Sequence, residues 1–420
     1  MAVLGQALRP GALAILRRLL AWAEKVVALD SLLGGFTDAR PQPKIATLVI
    51  VRSLVVMIVT RLGSLNAVEQ THSSLFWRRL LKNALPSADT LGRVAALMDP
   101  EPVRKALRDL YACLKRNKAL PPTGYGLMAL VLDGHESHAT ENRHCPGCLE
   151  RTITTSRSEY TQYYHRHVTA MLLGGDFPLL LDAEPQRPGE DEIATALRLL
   201  ERLLKNFPRA FDVVLGDALY TDPRLYNFLL DHGKDVLTVL KNENRTLLAD
   251  ARALFEIHSP QRFTEGSTTR EVWDLQGFTT WPQVQQPVRV VRSRETTTFR
   301  RQLDGQLQIQ EADWVWVTTL SVNQASAPAV VALGHARWNI ENQGFNETTN
   351  RWAADHIYKH HSTAILIFWL MTMLAFNLFY AFYSRNLQPA YRSRHNAQHV
   401  ARCLASELYE SLPENRAPPA

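Results

Sequence analysis

Two apolar runs that each close on an aspartate constrain this chain most. One is Gly126-Leu-Met-Ala-Leu-Val-Leu-Asp133 and the other Phe211-Asp-Val-Val-Leu-Gly-Asp217. A short, nearly uninterrupted apolar run between turn signals is the pattern of a buried strand. Each run therefore predicts a core strand with a carboxylate at its end. A third acidic residue, Glu341, lies in the helical-looking segment Ala336-Arg-Trp-Asn-Ile-Glu341. Two carboxylates at strand ends and one on a later helix can converge on a pair of divalent metal ions. Such ions activate a water or hydroxyl and stabilise a leaving oxygen in phosphoryl transfer. Taken singly, each carboxylate reads better as a helix cap or turn residue; the three in this order favour the metal reading.

The texture of the chain changes along its length. Residues 8–118 have helical periodicity, with Leu13-Ala-Ile-Leu-Arg-Arg-Leu-Leu on a three-to-four spacing. Pro86-Ser87-Ala-Asp89-Thr90 supplies cap residues ahead of the next apolar stretch, and a further helix is expected over Pro102–Asn117. Pro121-Pro122-Thr-Gly124 breaks the pattern. Strands follow at Leu127–Leu132, Tyr163–Leu173 and Phe177–Asp182, the last two joined by a Gly174-Gly175-Asp176 hairpin turn. An amphipathic helix is expected over Glu190–Asn206, with Ile193, Leu197, Leu200 and Leu204 on one face. Then come a strand over Phe211–Asp217, a helix over Pro223–His232 and a strand over Asp235–Leu240. This β-β-β-α-β-α-β order resembles a ribonuclease-H-like α/β core. In such a core the first and fourth strands are neighbours, which brings Asp133 and Asp217 together.

Residues 263–320 alternate short strand-like pieces with turns, at Glu271–Leu275, Val288–Val291, Thr297–Gln302 and Trp314–Leu320. The expected organisation is an all-α DNA-binding region over 1–122, the first part of the core over 123–262 and a β-rich insertion over 263–320. The core is completed over 321–384, and a basic tail, loosely ordered at its end, covers 385–420. The uncharged run Thr363–Tyr383 is long enough to cross a bilayer. It contains Thr372 and Asn377 and stands alone, so it is expected to be a buried helix, with no membrane as partner. The interrupted apolar stretch Ile45–Thr60 is expected to be a core helix.

Charge is unevenly spread. Residues 1–122 hold 18 Lys/Arg against 8 Asp/Glu, a surplus of +10; the whole chain is +6, so the remainder sums to −4. A basic third beside a slightly acidic remainder suggests a polyanion-binding module joined to something that holds metal. The alternative is an ordinary solvated basic surface. A composition 46% hydrophobic and 21% charged belongs to a folded globular chain rather than a disordered one. Four cysteines, two of them close together, argue against a disulfide scaffold and for a reducing compartment. The first residues lack the pattern of a secretory signal, so a cytoplasmic location is expected, nucleoid-associated when bound to DNA.

Arg337 and Glu341 are four residues apart, which on a helix places them one turn above each other, with Gly344, Phe345 and Thr348 continuing that face. A guanidinium there is shaped for a substrate phosphate; the alternative is an ordinary helix ion pair. Trp338, Phe345 and Trp352 are expected in the core. Trp273, Trp281, Trp314 and Trp316 are expected as buried strand residues rather than base-stacking ones. Asp217 is preferred over Asp222, which precedes Pro223 like a helix cap, and Asp133 over Glu136 because it ends the apolar run. His144-Cys145-Pro-Gly-Cys148 offers soft ligands for a structural Zn²⁺, with His165 and His167 the nearest further candidates. The alternative is a pair of reduced surface thiols. The spacing matches neither a zinc deaminase nor a zinc protease.

On these residues the chain resembles an insertion-sequence transposase of the DDE class, in the group with a β-rich insertion between the second Asp and the Glu. The stretch from Asp133 to about His361 carries the resemblance. Its most specific pieces are Gly216-Asp217-Ala-Leu-Tyr-Thr-Asp222 and Arg337-Trp-Asn-Ile-Glu341. The group's Glu helix bears a Tyr-x2-Arg-x3-Glu-x6-Lys signature. Arg337 and Glu341 match it, but Gly334 stands in the Tyr place and Thr348 in the Lys place, with His335 and Arg351 as nearby substitutes. The resemblance implies that Asp133, Asp217 and Glu341 bind two Mg²⁺ ions, Mn²⁺ substituting. It further implies that Arg337 contacts DNA phosphate, and that a homo-oligomer acts on element ends and target DNA. Rival expectations are a catalytically inactive DNA-binding derivative and a metal-dependent nuclease that only cuts.

Overall fold

In the computed structural model, residues 14–409 are described, apart from 82–84, 124, 157, 176, 242–245 and 302. The expectations for the residues before Ala14, for Gly124, Asp176 and Gln302, and for the end of the tail lie outside the described residues. Before the first strand the described elements are all helices: α1 (Ile15–Val27), α2 (Leu29–Gly34), α3 (Thr47–Val59), α4 (Leu65–Gln70), α5 (Leu75–Leu81), α6 (Ala88–Ala95) and α7 (Pro100–Arg116). Their starts follow the capping rule. The Ser87 side chain accepts from Thr90 N at the start of α6, and Asp99 accepts from Glu101 N ahead of Pro100 in α7.

The strands β1 (Ala129–Thr140), β2 (Leu149–Thr154), β3 (Glu159–Leu173) and β4 (Leu179–Pro185) come next. They are followed by α8 (Glu192–Asn206), β5 (Val213–Gly216), α9 (Pro223–Asp231) and β6 (Asp235–Val239). The sequence reading missed β2, whose mixed composition (Leu-Glu-Arg-Thr-Ile-Thr) has no continuous apolar run to signal it; it pairs antiparallel to the outer end of β3. In the sheet, β3 runs antiparallel to both β1 and β4, while β5 lies between β1 and β6 and is parallel to both. On α8 the buried face is Ile193, Ala196, Leu199, Leu200 and Leu203, with Leu197 and Leu204 at its margin.

Helix α10 (Thr246–Ile257) leads into β7 (Gln261–Glu265), β8 (Thr268–Phe278), β9 (Val288–Arg300) and β10 (Leu307–Thr318). Here the structure corrects one expectation: Val288–Val291 and the piece beginning at Thr297 are parts of one long strand. Trp316–Thr318 of β10 pairs antiparallel with Leu237–Val239 of β6, which joins these strands to the core sheet. One ten-stranded sheet results.

After β10 come α11 (Ala327–Ala336), a π-helical turn (Ile340–Phe345), α12 (Asn346–Trp352) and α13 (Ser362–Arg385). Helix α13 is the apolar run that could be mistaken for a membrane span. It is 83% buried over its most apolar window and packs against α3, α7 and β4. Its two polar residues have internal partners. The Asn377 amide donates to Leu180 O at 2.7 Å and accepts from Leu180 N at 3.0 Å, and the Thr372 hydroxyl donates to Phe368 O. The described part of the basic tail is helical: α14 (Pro389–Arg392) is followed by α15 (Ala397–Ser406), which returns to α1. The N-terminal helices share the interior with the sheet. A single buried apolar cluster runs from Ile15 to Leu408, and the buried Arg104 of α7 pairs with Asp182 and Glu184 of β4.

Candidate active site

The parallel register of β1 and β5 sets the site. Val131 pairs with Leu215, so Asp133 and Asp217, each two residues further on, stand at the same height. Asp217 follows β5 and accepts from Leu219 N at 2.8 Å, capping a short 3₁₀ turn. Asp133 is not at a strand end, contrary to expectation. Beyond Val131 the strand β1 parts from β5 but stays paired with β3 past Ser137, because Thr169 and its neighbours on β3 continue the ladder.

Glu341 lies in the π-helical turn rather than an α-helix. Arg337, just before it, donates to Glu341 Oε1 at 2.9 Å and stands 3.7 Å from Asp133 Oδ2. One guanidinium, 5% exposed, therefore bridges the first and third predicted carboxylates. The wider turn alters the register downstream. Phe345 and Thr348, expected to continue the Glu341 face, are buried, with Phe345 stacked on His135. Trp338 departs from its expected core position: it is 38% exposed and lies under the Arg337 guanidinium, whose Cζ is 4.3 Å from the ring centroid. The other two of that series, Phe345 and Trp352, are buried.

A fourth carboxylate joins the group. Glu192, the first residue of α8, is buried, accepts from the Tyr220 hydroxyl at 2.8 Å and pairs with Arg166 at 2.5 Å. The Glu-Asp-Glu run at 190–192 gave no sign of which acid turns inward, because that depends on where α8 meets β1. Together these charges act on Asp133. Burial first, then Asp217, raises its carboxyl to about 7 despite Arg337, with Glu341 and Glu192 adding to the effect. Glu192 is raised by burial, against the pull of Arg166 and Tyr220. The competitors are engaged elsewhere. Asp222 caps α9 and pairs with Arg224, and Glu136 forms a two-point pair with Arg151.

The two signature departures have packing reasons. A Cβ on Gly334 would overlap the Trp316 indole, so that place has no room for a ring. Thr348 is 2% exposed and its hydroxyl donates to Gly344 O, so it presents nothing outward. Of the proposed substitutes, His335 is paired to Glu295 and Arg351 to Glu347. Gly334→Tyr is expected to lower the melting temperature, since overpacking typically costs about 1–3 kcal/mol. Thermal unfolding of this variant beside Gly334→Ala checks it; an unchanged melting temperature for both would contradict the packing account.

The cysteine motif resolves differently from the sequence reading. Cys145 and Cys148 gather with His165 of β3 and His360, just before α13. His144 is turned away, stacked on Tyr163 with ring centroids 5.0 Å apart, and His167 is buried against Trp369 and His135. Among the described residues this Cys/His set is the one group of three or more metal-ligand side chains whose donor atoms all lie within 4.8 Å of one another. The acidic group is looser, with Arg337 between Asp133 and Glu341.

No curated protein matches the chain. The family model described as the transposase DDE domain does match, over residues 125–378. That span begins four residues before β1, ends inside α13, and takes in Asp133, Asp217, Glu192, Arg337 and Glu341. It covers more than half of the 420 residues, and the chain belongs to the DDE transposases of insertion sequences.

Proposed function

We propose that this transposase cuts DNA at the ends of its element and joins the freed ends to target DNA, with Asp133, Asp217 and Glu341 as the metal-binding carboxylates. The observation that carries this reading is that Asp133 and Asp217 each lie two residues beyond Val131 and Leu215, the last pair of the parallel β1/β5 ladder, with Arg337 tying Glu341 to Asp133. The strand arrangement supports a ribonuclease-H-like core, since the first strand lies between an antiparallel second and a parallel fourth of the expected series. The residues fit divalent cations: half-buried, mutually repelling carboxylates, one of them raised to about 7, are a site short of positive charge. Mg²⁺ held there, with Mn²⁺ able to replace it, would lower the barrier to deprotonating the attacking hydroxyl and stabilise the leaving oxygen.

The chain's own groups supply the rest. Arg337, always charged and forked, would hold a non-bridging phosphate oxygen once the carboxylates are neutralised. Trp338, exposed beside it, offers a face for a base at the cleavage point. In the first reaction water displaces the 3′ oxygen at the element's end; in the second that 3′-hydroxyl displaces a bridging oxygen of the target strand.

The surplus positive charge of the first 122 residues supports a DNA-binding role for that region, acting as a surface on the shared core rather than as a separable module. The region's boundary near 122, the segments 123–262, 263–320 and 321–384 as successive parts of the catalytic unit, and a homo-oligomer on DNA belong to this same proposal. So does action inside the cell on the nucleoid. Arg78 and Arg79 on α5 are both exposed. Replacing both by Ala is expected to weaken DNA binding similarly across sequences and to flatten the salt dependence by about two phosphate contacts. A titration from low to moderate salt reads this; an unchanged slope would remove α5 from the DNA surface.

The test of the main reading is a strand-transfer assay. A pre-cut duplex of the element's end, a plasmid target and Mg²⁺ should yield joined products. Nicking without joining would instead favour a nuclease, and retention of DNA without either reaction an inactive derivative.

A further inference from the structure

We propose that Cys145, Cys148, His165 and His360 form a structural zinc site that clamps the segment following the Glu341 turn onto the catalytic sheet. A zinc ion bound by two thiolates and two imidazoles has bonds of about 2.3 and about 2.0 Å. A tetrahedron with those bonds has edges of about 3.8 Å between sulfurs and about 3.5 Å between sulfur and nitrogen. The two Sγ atoms are 3.8 Å apart. The sulfur-to-nitrogen separations are 3.5 Å for Cys145 to His165, 3.3 Å for Cys148 to His165 and 3.5 Å for Cys148 to His360. These four edges match one ion among the donors, and all four donor atoms lie within 4.8 Å of one another. The sulfurs are too far apart for a disulfide, and both cysteines are free.

The local backbone aims an amide at one of the two sulfurs. Cys145 N donates to Cys148 Sγ at 3.2 Å, and Cys148 N donates to Cys145 O at 2.9 Å, so Cys-Pro-Gly-Cys closes a tight turn. An amide aimed at a sulfur stabilises its negative form. Gly147 completes the fit, since a Cβ there would come 2.8 Å from the Cβ of Ser362, the first residue of α13. The turn and the start of α13 thus meet closely around the four donors.

The site would join three stretches remote in the chain. The turn lies between β1 and β2, His165 is on β3, and His360 lies near the end of the loop that leaves α12. Through His165 the clamp reaches β3, which is paired along β1 to Asp133; through His360 it holds the segment that follows Glu341 and α12. A metal there would restrain the helical segment relative to the sheet without touching DNA. This goes beyond the acidic site and does not depend on it.

The experiment uses the intact chain, produced with zinc supplied and thiols kept reduced. Elemental analysis should find about one zinc per chain, retained after dialysis against Mg²⁺. Replacing it with Co²⁺ should give the intense visible bands of a four-coordinate ion together with thiolate charge-transfer absorption. Cys148→Ser and His360→Ala should each lower zinc retention at least about tenfold, whereas His144→Ala and Asp217→Asn should retain it. The cobalt spectrum needs no variant, so misfolding of a substituted chain cannot hide the answer. A zinc-free protein under these conditions, a six-coordinate cobalt spectrum without thiolate bands, or loss of metal in His144→Ala but not His360→Ala would each overturn the proposal.

Discussion

Asp217→Asn and Glu341→Gln are each expected to reduce both DNA cleavage and strand joining by on the order of a thousandfold or more, while leaving DNA binding within a few-fold of the parent. Each change removes one negative charge and little else. The side-chain amide introduced by Asp217→Asn keeps an oxygen able to accept from Leu219 N, the bond that caps the turn after β5, and Asn is as good a cap as Asp. Glu341→Gln likewise leaves an oxygen facing the Arg337 guanidinium at the place where Glu341 accepts now. Loss of activity in these variants therefore reports loss of cation binding rather than a collapsed site. Labelled element-end duplex, incubated with Mg²⁺ and resolved on a denaturing gel, measures cutting; joining to plasmid measures the second step. Glu136→Gln and Asp222→Asn serve as controls, since their partners are Arg151 and Arg224. Near-parental activity in Asp217→Asn, or a larger loss in Asp222→Asn, would dismiss the assignment.

Much of the frame was legible because burial writes itself into local sequence. The runs ending at Asp133 and Asp217 do form neighbouring strands, and the Gly-rich turn after Leu173 does reverse the chain between β3 and β4. Features that depend on distant partners left no such trace. His360 faces Cys148 across 212 residues, and a lone histidine in His360-His361 carries no period to announce it. Glu192 turns inward because α8 begins over β1, not because of its neighbours in sequence. The π-helical turn at Ile340–Phe345 has an ordinary helical composition, so the shift that buries Thr348 and the exposure of Trp338 were both unreadable. The β-rich segment read correctly as strands, yet its attachment to β6 through Trp316–Thr318 is a pairing that spacing alone could not reveal.

Asp133 should make the metal-free protein less stable as pH rises, and Mg²⁺ should reverse this. Its carboxyl is raised from 3.8 to about 7, chiefly by burial and by Asp217. Between those values the folded chain holds a proton that the unfolded chain has released, so folding takes up protons and stability falls with increasing pH. The contribution is fully present below about 4 and is lost as pH climbs through about 7. A shift of this size corresponds to an upper limit of about 4 kcal/mol. A divalent cation competes with that proton, so stabilisation by Mg²⁺ should grow from about pH 5.5 to about pH 8. Melting temperatures across this range, in Mg²⁺-free buffer rather than with a chelator that also strips zinc, give the measurement. Asp133→Asn has no such proton to hold. It should melt higher than the parent at about pH 8 without Mg²⁺, show a shallower fall with pH, and gain little from Mg²⁺. Equal pH slopes in parent and variant, or a Mg²⁺ effect that ignores pH, would separate Asp133 from the cation and return the raised carboxyl to a purely structural role.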